Sequence, residues 1–195
     1  MSSLQSLTAL LPPPSQPEAA PMDYDWSTFE EVERLSDSYK SFVTTYGTGV
    51  LCGCVNLFSP SGKTVFNTHI VTNSVRATIL TIARAGAKIP DLVSCDRFFP
   101  MDKLGLFVVA ESIDGHDIFY ERTSDTQREN VLVYDSQSEL GGVATRFDMG
   151  VVEFFEAIFS HKIQIPGLSA PLIRRPVFEP LKTSWLVGIE TPKVR

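Results

Sequence analysis

Three apolar segments separated by turn residues lie at 105–111, 117–121 and 130–135, and they constrain the fold more than any other part of the sequence. Each is rich in β-branched and aromatic residues, a composition that favours strands. Asp114-Gly115, between the first two segments, is a strong hairpin signal because tight antiparallel turns need residues that accept positive φ. A further short strand is predicted at 144–147. The second half of the chain therefore predicts an antiparallel sheet.

Helices are predicted on both sides of these strands. Apolar residues recur at helical spacing from Trp26 to about Leu35, and again at 37–46, 67–84 and 148–159. Ser27 and Glu30 have the spacing of a capping box, whereas Gly47 and Gly86 mark helix ends. Residues 50–58 are predicted to form one strand, and Asp148 is predicted to cap the last helix. This order indicates an α+β fold with a central, mostly antiparallel sheet packed by helices.

The length of 195 residues favours one domain with a segment at each end. Residues 1–21 form an N-terminal segment and a Pro-rich linker, 22–182 the domain, and 183–195 a C-terminal tail. Proline lacks a backbone donor, so residues 12–21 are predicted to be extended. The apolar residues 4–11 before them either dock on the domain or stay mobile. Residues 165–195 are predicted to be an irregular C-terminal wrap.

Composition limits the possible partners and compartment. Lys plus Arg number 17 and Asp plus Glu 23, which gives a net charge of −6. That balance disfavours nonspecific nucleic-acid binding and tolerates a basic partner, although the charge taken by itself is better explained by solubility alone. The three cysteines are an odd, small set, which favours a reducing cytoplasm over a disulfide framework. The apolar runs are too short to span a bilayer, and the N-terminus lacks a basic leader, so we expect no membrane association.

One motif imitates a phosphate-binding loop. Ser61-Gly62-Lys63-Thr64 follows a predicted strand and precedes a helix, and Asp135 ends another apolar strand. The complete motif begins with a glycine that lets backbone donors surround phosphate. Leu57 stands at that position, and Pro60 removes a further donor. A nucleotide-binding protein that uses Lys63, Thr64 and Asp135 is therefore the weaker alternative, and no cofactor is expected.

The remaining reactive residues do not form a recognisable catalytic or metal-binding pattern. Cys52 and Cys54 lie two apart on the predicted strand, and we expect them to be small core residues rather than zinc ligands. No nucleophile elbow is present in the sequence.

Acidic residues cluster around the predicted hairpin, at Glu111, Asp114, Asp117 and Glu121. Such carboxylates are most often solvated turn residues, and they can also serve acid–base chemistry or form a rim that binds a basic partner. We take these four residues as the candidate partner-binding site.

From Trp26 to Pro180 the order of these motifs resembles the SMI1/KNR4 family of the SUKH superfamily. The matching positions are Leu10 to Pro14 in the lead-in; Trp26, Phe29 and Glu30 in the first helix; Leu35, Tyr39, Lys40, Phe42, Tyr46, Gly47 and Gly49 in the second helix and its end; Leu57, Phe58 and Pro60 at the strand end; Asp114 to Asp117 in the hairpin; and Arg146 to Met149, Phe154 and Phe155 near the last helix. Ser36 and Ser38 depart from the usual proline and aspartate.

The resemblance implies binding without catalysis. Many bacterial members look like cytoplasmic immunity proteins that bind and neutralise toxins, often nucleases, whereas eukaryotic members look like regulatory scaffold proteins. We therefore expect a non-enzymatic domain whose partner is a toxin protein, with a regulatory scaffold as the alternative. An acidic surface is physically suited to such a role, because nucleases carry basic active-site surfaces.

Overall fold

The computed structural model describes residues 2–16, 35–60, 67–93, 105–122, 129–137, 142–174 and 176–181. Its helices in these ranges are α1 (Ser3–Leu10), α2 (Asp37–Tyr46), α3 (Thr68–Arg84), α4 (Val151–Phe159) and α5 (Ser169–Arg174). The predicted helix that begins at residue 27, with Trp26 and Phe29, lies outside the described residues. No helix in the described ranges is long and apolar enough to cross a membrane.

Two of the predicted helices have the expected ends. In α2 the Ser36 side chain accepts from Tyr39 N, and the helix ends at Gly47. In α3 the Asn67 side chain accepts from the first backbone donors, so its predicted start is also confirmed. The prediction that Asp148 caps the last helix is wrong. The N-cap of α4 is Gly150, whose backbone N–H donates to Glu153 Oε2 at 3.1 Å.

Within the described ranges seven strands form one sheet, in which every neighbouring pair is antiparallel. They are β1 (Gly49–Leu51), β2 (Val55–Leu57), β3 (Leu106–Ser112), β4 (His116–Arg122), β5 (Glu129–Asp135), β6 (Val143–Phe147) and β7 (Phe178–Pro180). Their order across the sheet is β6-β5-β4-β3-β2-β1-β7. The expected α+β class with a central antiparallel sheet is confirmed, and Gly115, with φ of 84°, lies in the predicted hairpin turn.

The single strand predicted at 50–58 is a second hairpin. Cys52 and Gly53 have φ values of 53° and 70°, and Cys54 N donates to Leu51 O at 2.9 Å. Positive φ at both central residues is typical of the tight turn that joins antiparallel strands. Cys52 and Cys54 therefore lie within the turn instead of sharing one strand face, and of the two only Cys54 is buried.

The described part of the C-terminal region is more regular than predicted. It contains α5, and then β7, which pairs with β1 at the edge of the sheet. Leu181 N also donates to Thr48 O at 3.0 Å. A Cβ at Gly49 would overlap the Glu179 carbonyl oxygen, so the absence of a side chain lets β7 approach. The pairing was missed because Phe178–Pro180 is only three residues long.

Helices cover both faces of the sheet, and the two faces bury different cores. On one face α1, α2 and α4 pack over apolar residues that include Ile118, Tyr120, Val131 and Val133. On the other face α3 packs over a smaller cluster that includes Leu106, Val108, Phe119 and Leu132.

The N-terminal helix α1 docks on α4, which decides between the docked and mobile states that its sequence left open. Leu7 and Leu11 are fully buried in the larger core, and Tyr46 Oη donates to Leu11 O at 2.7 Å. The division of the chain at residue 22 stays a prediction, but α1 contributes to the same core as the sheet.

Candidate functional site

An irregularity in β3 brings two carboxylates face to face. Val108 pairs with Phe119 and Ala110 with Ile118, so Val109 is an extra residue, a β-bulge. Val109 and Ala110 consequently both point into the larger core. Strict alternation would send Glu111 into that core as well. The bulge instead turns Glu111 to the α3 face, where it lies directly opposite Asp117 on β4.

The two carboxylates lie in a cleft of about 430 Å³ between α3 and the sheet. Tyr134, which pairs with Asp117 across β4 and β5, lines the same cleft. Ser136 closes one end by donating from its backbone N and its Oγ to Gly115 O, at 3.1 and 2.9 Å. The cleft thus has a polar floor at the end of the sheet nearest the β3–β4 turn.

The opposite wall of the cleft comes from one face of α3 and is mostly apolar, with the hydroxyl side chains of Ser74 and Thr78 among its lining residues. Its apolar lining consists of Ile70, Val71, Val75, Ile79 and Ile82. Thr72 fixes this wall to the sheet, because its hydroxyl accepts from Val108 N at 2.9 Å and donates to Thr68 O at 2.6 Å. The helical spacing of Val71, Val75, Ile79 and Ile82 predicts a buried stripe. In the structure all four line the cleft, where Ile79 is buried and the other three are partly buried.

Among the four predicted acidic residues, Asp117 has the carboxyl group whose pKa is shifted most. Its residue is only 8% exposed, and within the described ranges no hydrogen bond or ion pair reaches its side chain. Burial, and then the nearby Glu111 carboxylate, raises the pKa of Asp117 to about 7. Burial also raises the pKa of Glu111. Two carboxylates in this arrangement either share a proton near neutral pH or bind a cation.

Asp114 occupies the exposed turn between β3 and β4, beside Ile113. Ile113 is 70% exposed, a large fraction for an isoleucine. Gly115 in the same turn lines the cleft. The turn therefore places an apolar side chain and a carboxylate at one end of the cleft.

Glu121, the fourth predicted residue, has a different environment. It lies on the same face of β4 as Asp117 but at the other end of the strand. Arg146 Nε lies 2.9 Å from Glu121 Oε2, and Asn130 Nδ2 donates to the same oxygen at 2.9 Å. Its charge is compensated within the protein, so the structure brings together Glu111 and Asp117, with Asp114 at the adjacent turn, and separates Glu121 from them.

A second cleft, of about 400 Å³, lies on the other side of the sheet and is lined by His116, Asp135, Thr145 and Gln164 among others. Ser112 Oγ is 3.1 Å from His116 Nδ1 and also accepts from His116 N at 3.0 Å. The hydroxyl is thus held by two atoms of the same histidine. Asp135, which lines the same cleft, accepts from Gln137 N through its Oδ1 at 2.9 Å.

The other candidate chemistries can be placed only in part. Lys63 and Thr64 lie outside the described residues, as does Cys95. Burial, followed by the influence of Cys52 and Asp114, raises the pKa of Cys54 to about 11, and burial raises that of Cys52. In the described ranges no three His, Cys, Asp or Glu side chains are grouped as a metal site.

Sequence reasoning missed Tyr134 and the α3 wall as parts of this site. Residues 111 and 117 are equally far from Asp114 at the centre of the turn, so hairpin symmetry alone indicates that they face one another. The α3 wall had no comparable signal, because an apolar helical stripe predicts burial and says nothing about what it faces.

No family model, curated protein or solved structure matches this chain. The described residues define an α+β protein with a seven-stranded antiparallel sheet and a cleft that is acidic on one side and apolar on the other.

Proposed function

We propose that this chain is a non-catalytic protein-binding domain that holds a basic partner at the mouth of the α3 cleft. The observation that carries the proposal is the pair Glu111 and Asp117, which face each other on neighbouring strands without a counter-charge in the described ranges. Burial of a carboxylate is costly unless a cation or hydrogen-bond donor compensates it. A partner that brings positive charge to this surface would supply that compensation.

The adjacent turn supports a protein partner. Ile113 and Asp114 are both exposed there, so an apolar contact and a charged contact are available beside the cleft. Interfaces commonly combine an apolar centre with charged residues that set specificity and the association rate. The net charge of −6 also favours the approach of a basic surface.

The identity that we propose for the partner is a toxin domain, and the function is immunity in the cytoplasm. This part of the proposal rests on the resemblance of the ordered motifs from Trp26 to Pro180 to the SMI1/KNR4 family. A nuclease toxin is suitable because a surface that binds nucleic acid is basic, and an acidic protein competes for it.

Co-expression tests this function. The chain is expressed in a heterologous bacterial host together with the C-terminal domain of the protein that the neighbouring reading frame encodes, which the proposal expects to be toxic, and growth is measured. We expect the chain to restore growth. The double variant Ile113→Arg/Asp114→Arg should bind the purified toxin domain at least about tenfold more weakly, because it introduces repulsion at the exposed turn.

Asp148→Arg is the matched control, since Asp148 is an exposed acidic residue after β6, at the end of the sheet away from the β3–β4 turn. It should restore growth as the unchanged chain does. Failure of the unchanged chain to restore growth, or turnover of a small substrate that depends on Asp114 or Asp117, would contradict the proposal. Binding to an endogenous protein without any rescue would favour the regulatory scaffold.

A further inference from the structure

We propose that the cleft between α3 and the sheet receives a single lysine or arginine side chain of the partner, with its charged end between Glu111 and Asp117 and its aliphatic stem along α3. This inference rests on the proposed function, because it names the group with which a basic partner engages the site. The proposed occupant is a side chain of a protein partner.

Charge complementarity is the first argument for this occupant. Asp117 is more than nine-tenths buried, lines the cleft, and has no hydrogen bond or ion pair within the described ranges. Glu111 stands opposite it on β3. A cation placed between the two carboxylates removes both the uncompensated burial and the repulsion between like charges.

The apolar wall is the second argument, and it distinguishes an organic cation from a bare metal ion. Hard metal ions such as calcium bind six or more oxygen ligands, several of them carboxylate or carbonyl oxygens. The carboxylates that line this cleft are the two of Glu111 and Asp117, and the wall opposite them carries mainly aliphatic side chains, with the hydroxyls of Ser74 and Thr78. Lysine and arginine bury their methylene stems against apolar surface while their charged ends stay in polar surroundings. A lysine or arginine side chain therefore fits both sides of the cleft, with its methylene stem against α3 and its charged end at the carboxylates.

The size of the cleft is compatible with an inserted side chain. Its volume of about 430 Å³ lies in the range of roughly 300–1,000 Å³ that is typical of ligand sites. Two hydrogen bonds hold the walls of the cleft in place. Ser136 donates to Gly115 O at the sheet, and Val108 N donates to Thr72 Oγ1, which fixes α3 to β3. The cleft is thus formed in the unbound protein.

Occupancy should depend on pH. The groups that face Asp117 are Glu111 from β3 and Tyr134 from β5, and the residues of α3 that line the cleft are uncharged. Because the pKa of Asp117 is raised to about 7, the carboxylate is mostly protonated at pH 6 and mostly ionised at pH 8. A cation that needs the ionised form should bind about tenfold more tightly at pH 8 than at pH 6.

In the test, the full chain is titrated with n-butylguanidinium as the probe, and binding is monitored by ¹⁵N–¹H NMR. Butylurea is the matched neutral probe, because it has the same shape without the charge. We expect saturable shifts at the amides of Glu111, Asp117 and Tyr134 with butylguanidinium, at a dissociation constant on the order of millimolar for so small a ligand. Butylurea should bind at least about tenfold more weakly.

Variants complete the test. Asp117→Asn keeps the shape of the side chain and should weaken butylguanidinium binding at pH 8 by about tenfold or more, with the pH dependence lost. Glu111→Gln should weaken it less, and Asp148→Asn should leave it unchanged. Equal responses to the two probes, no saturation, or unchanged binding by Asp117→Asn would overturn the inference. Growth rescue without probe binding would reject only the inference, and probe binding without rescue would reject only the immunity function.

Discussion

At the scale of single residues, Asp117 and Glu121 show how position decides what a carboxylate does. They lie on the same face of β4, and both are buried. Glu121 is compensated by Arg146 and Asn130, so it stabilises the attachment of β6 to the rest of the sheet. Asp117 has no such compensation in the described ranges, which leaves it able to respond to a ligand or to pH.

The stability of the protein should reflect this difference in a pH-dependent way. Asp117 has a pKa of about 7 in the folded protein against a reference value of 3.8. The folded state therefore holds its proton more tightly than the unfolded state, so the stabilising effect of the protonated form is present below about pH 4 and is lost as the pH rises through 7.

Asp117→Asn should consequently raise the free energy of unfolding at pH 8 by about 2 kcal/mol and change it little near pH 4, since the amide cannot ionise. Urea unfolding at a series of pH values measures this. Asp148→Asn, at an exposed position, is the control and should follow the unchanged protein. If Asp117→Asn is no more stable than the unchanged protein at pH 8, the raised pKa of Asp117 in the folded state is contradicted.

At the scale of elements, the β-bulge of β3 and the docking of α1 shape the molecule most. The bulge adds Val109 and so moves Glu111 from the larger core to the cleft. Bulges are common where a strand must redirect a side chain near a site. Helix α1 is joined to the sheet by a long segment, yet Leu7 and Leu11 are fully buried.

Truncation of Leu7 tests whether α1 belongs to the folded unit. Leu7→Ala should lower the free energy of unfolding by about 2–5 kcal/mol, because it leaves a cavity beside α4. Leu10→Ala, on the same helix at a residue that is 38% exposed, should cost less than about 1 kcal/mol. Chemical denaturation of both variants measures their free energies of unfolding. Equal, small losses in the two variants would show that α1 contributes little to the stability of the folded protein.

At the scale of the whole molecule, the sheet separates two layers that are packed to different extents. In α4, seven of its nine residues are buried, whereas the buried residues of the 17-residue helix α3 are Thr68, Thr72 and Ile79. Regions with few buried apolar contacts open at lower free energy than the core. The layer that forms the cleft wall is therefore the less stable of the two.

Hydrogen exchange should show this asymmetry directly. We expect the backbone amides of α3 to open with a free energy at least about 1 kcal/mol lower than those of α4, and to gain protection when a basic partner or butylguanidinium occupies the cleft. Exchange followed by mass spectrometry or NMR measures both quantities. Equal protection of the two helices would contradict the expected order of stability.

The sequence predicted the features that depend on a few neighbouring residues. The helix at 37–46 and the start of the helix at 67 were predicted, and in the structure Ser36 and Asn67 cap them by bonds to donors two or three residues away. Asp114-Gly115 forms the predicted turn through its own backbone preferences. Two predictions from local sequence were wrong. The strand predicted at 50–58 contains a turn in which Cys52 has positive φ, which is unusual for a residue other than glycine. The last helix is capped by Gly150 and not by Asp148. At 50–58 the apolar residues on both sides outweighed the turn signal of Gly53, and near the last helix Asp148 is a more strongly preferred N-cap type than Gly150.

The α+β class, most helix and strand positions in the described ranges and the acidic character of the β3–β4 hairpin were thus determined by the sequence itself, because caps, turns and periodicity act over short distances. The pairing of β7 with β1, the docking of α1 and the α3 wall of the cleft join residues far apart in the chain. The placement of the facing Glu111 and Asp117 side chains on the α3 side of the sheet is also tertiary, since it depends on the bulge that allows both cores to pack. Only the folded structure decides these, because they arise from long-range burial and pairing that no local pattern specifies.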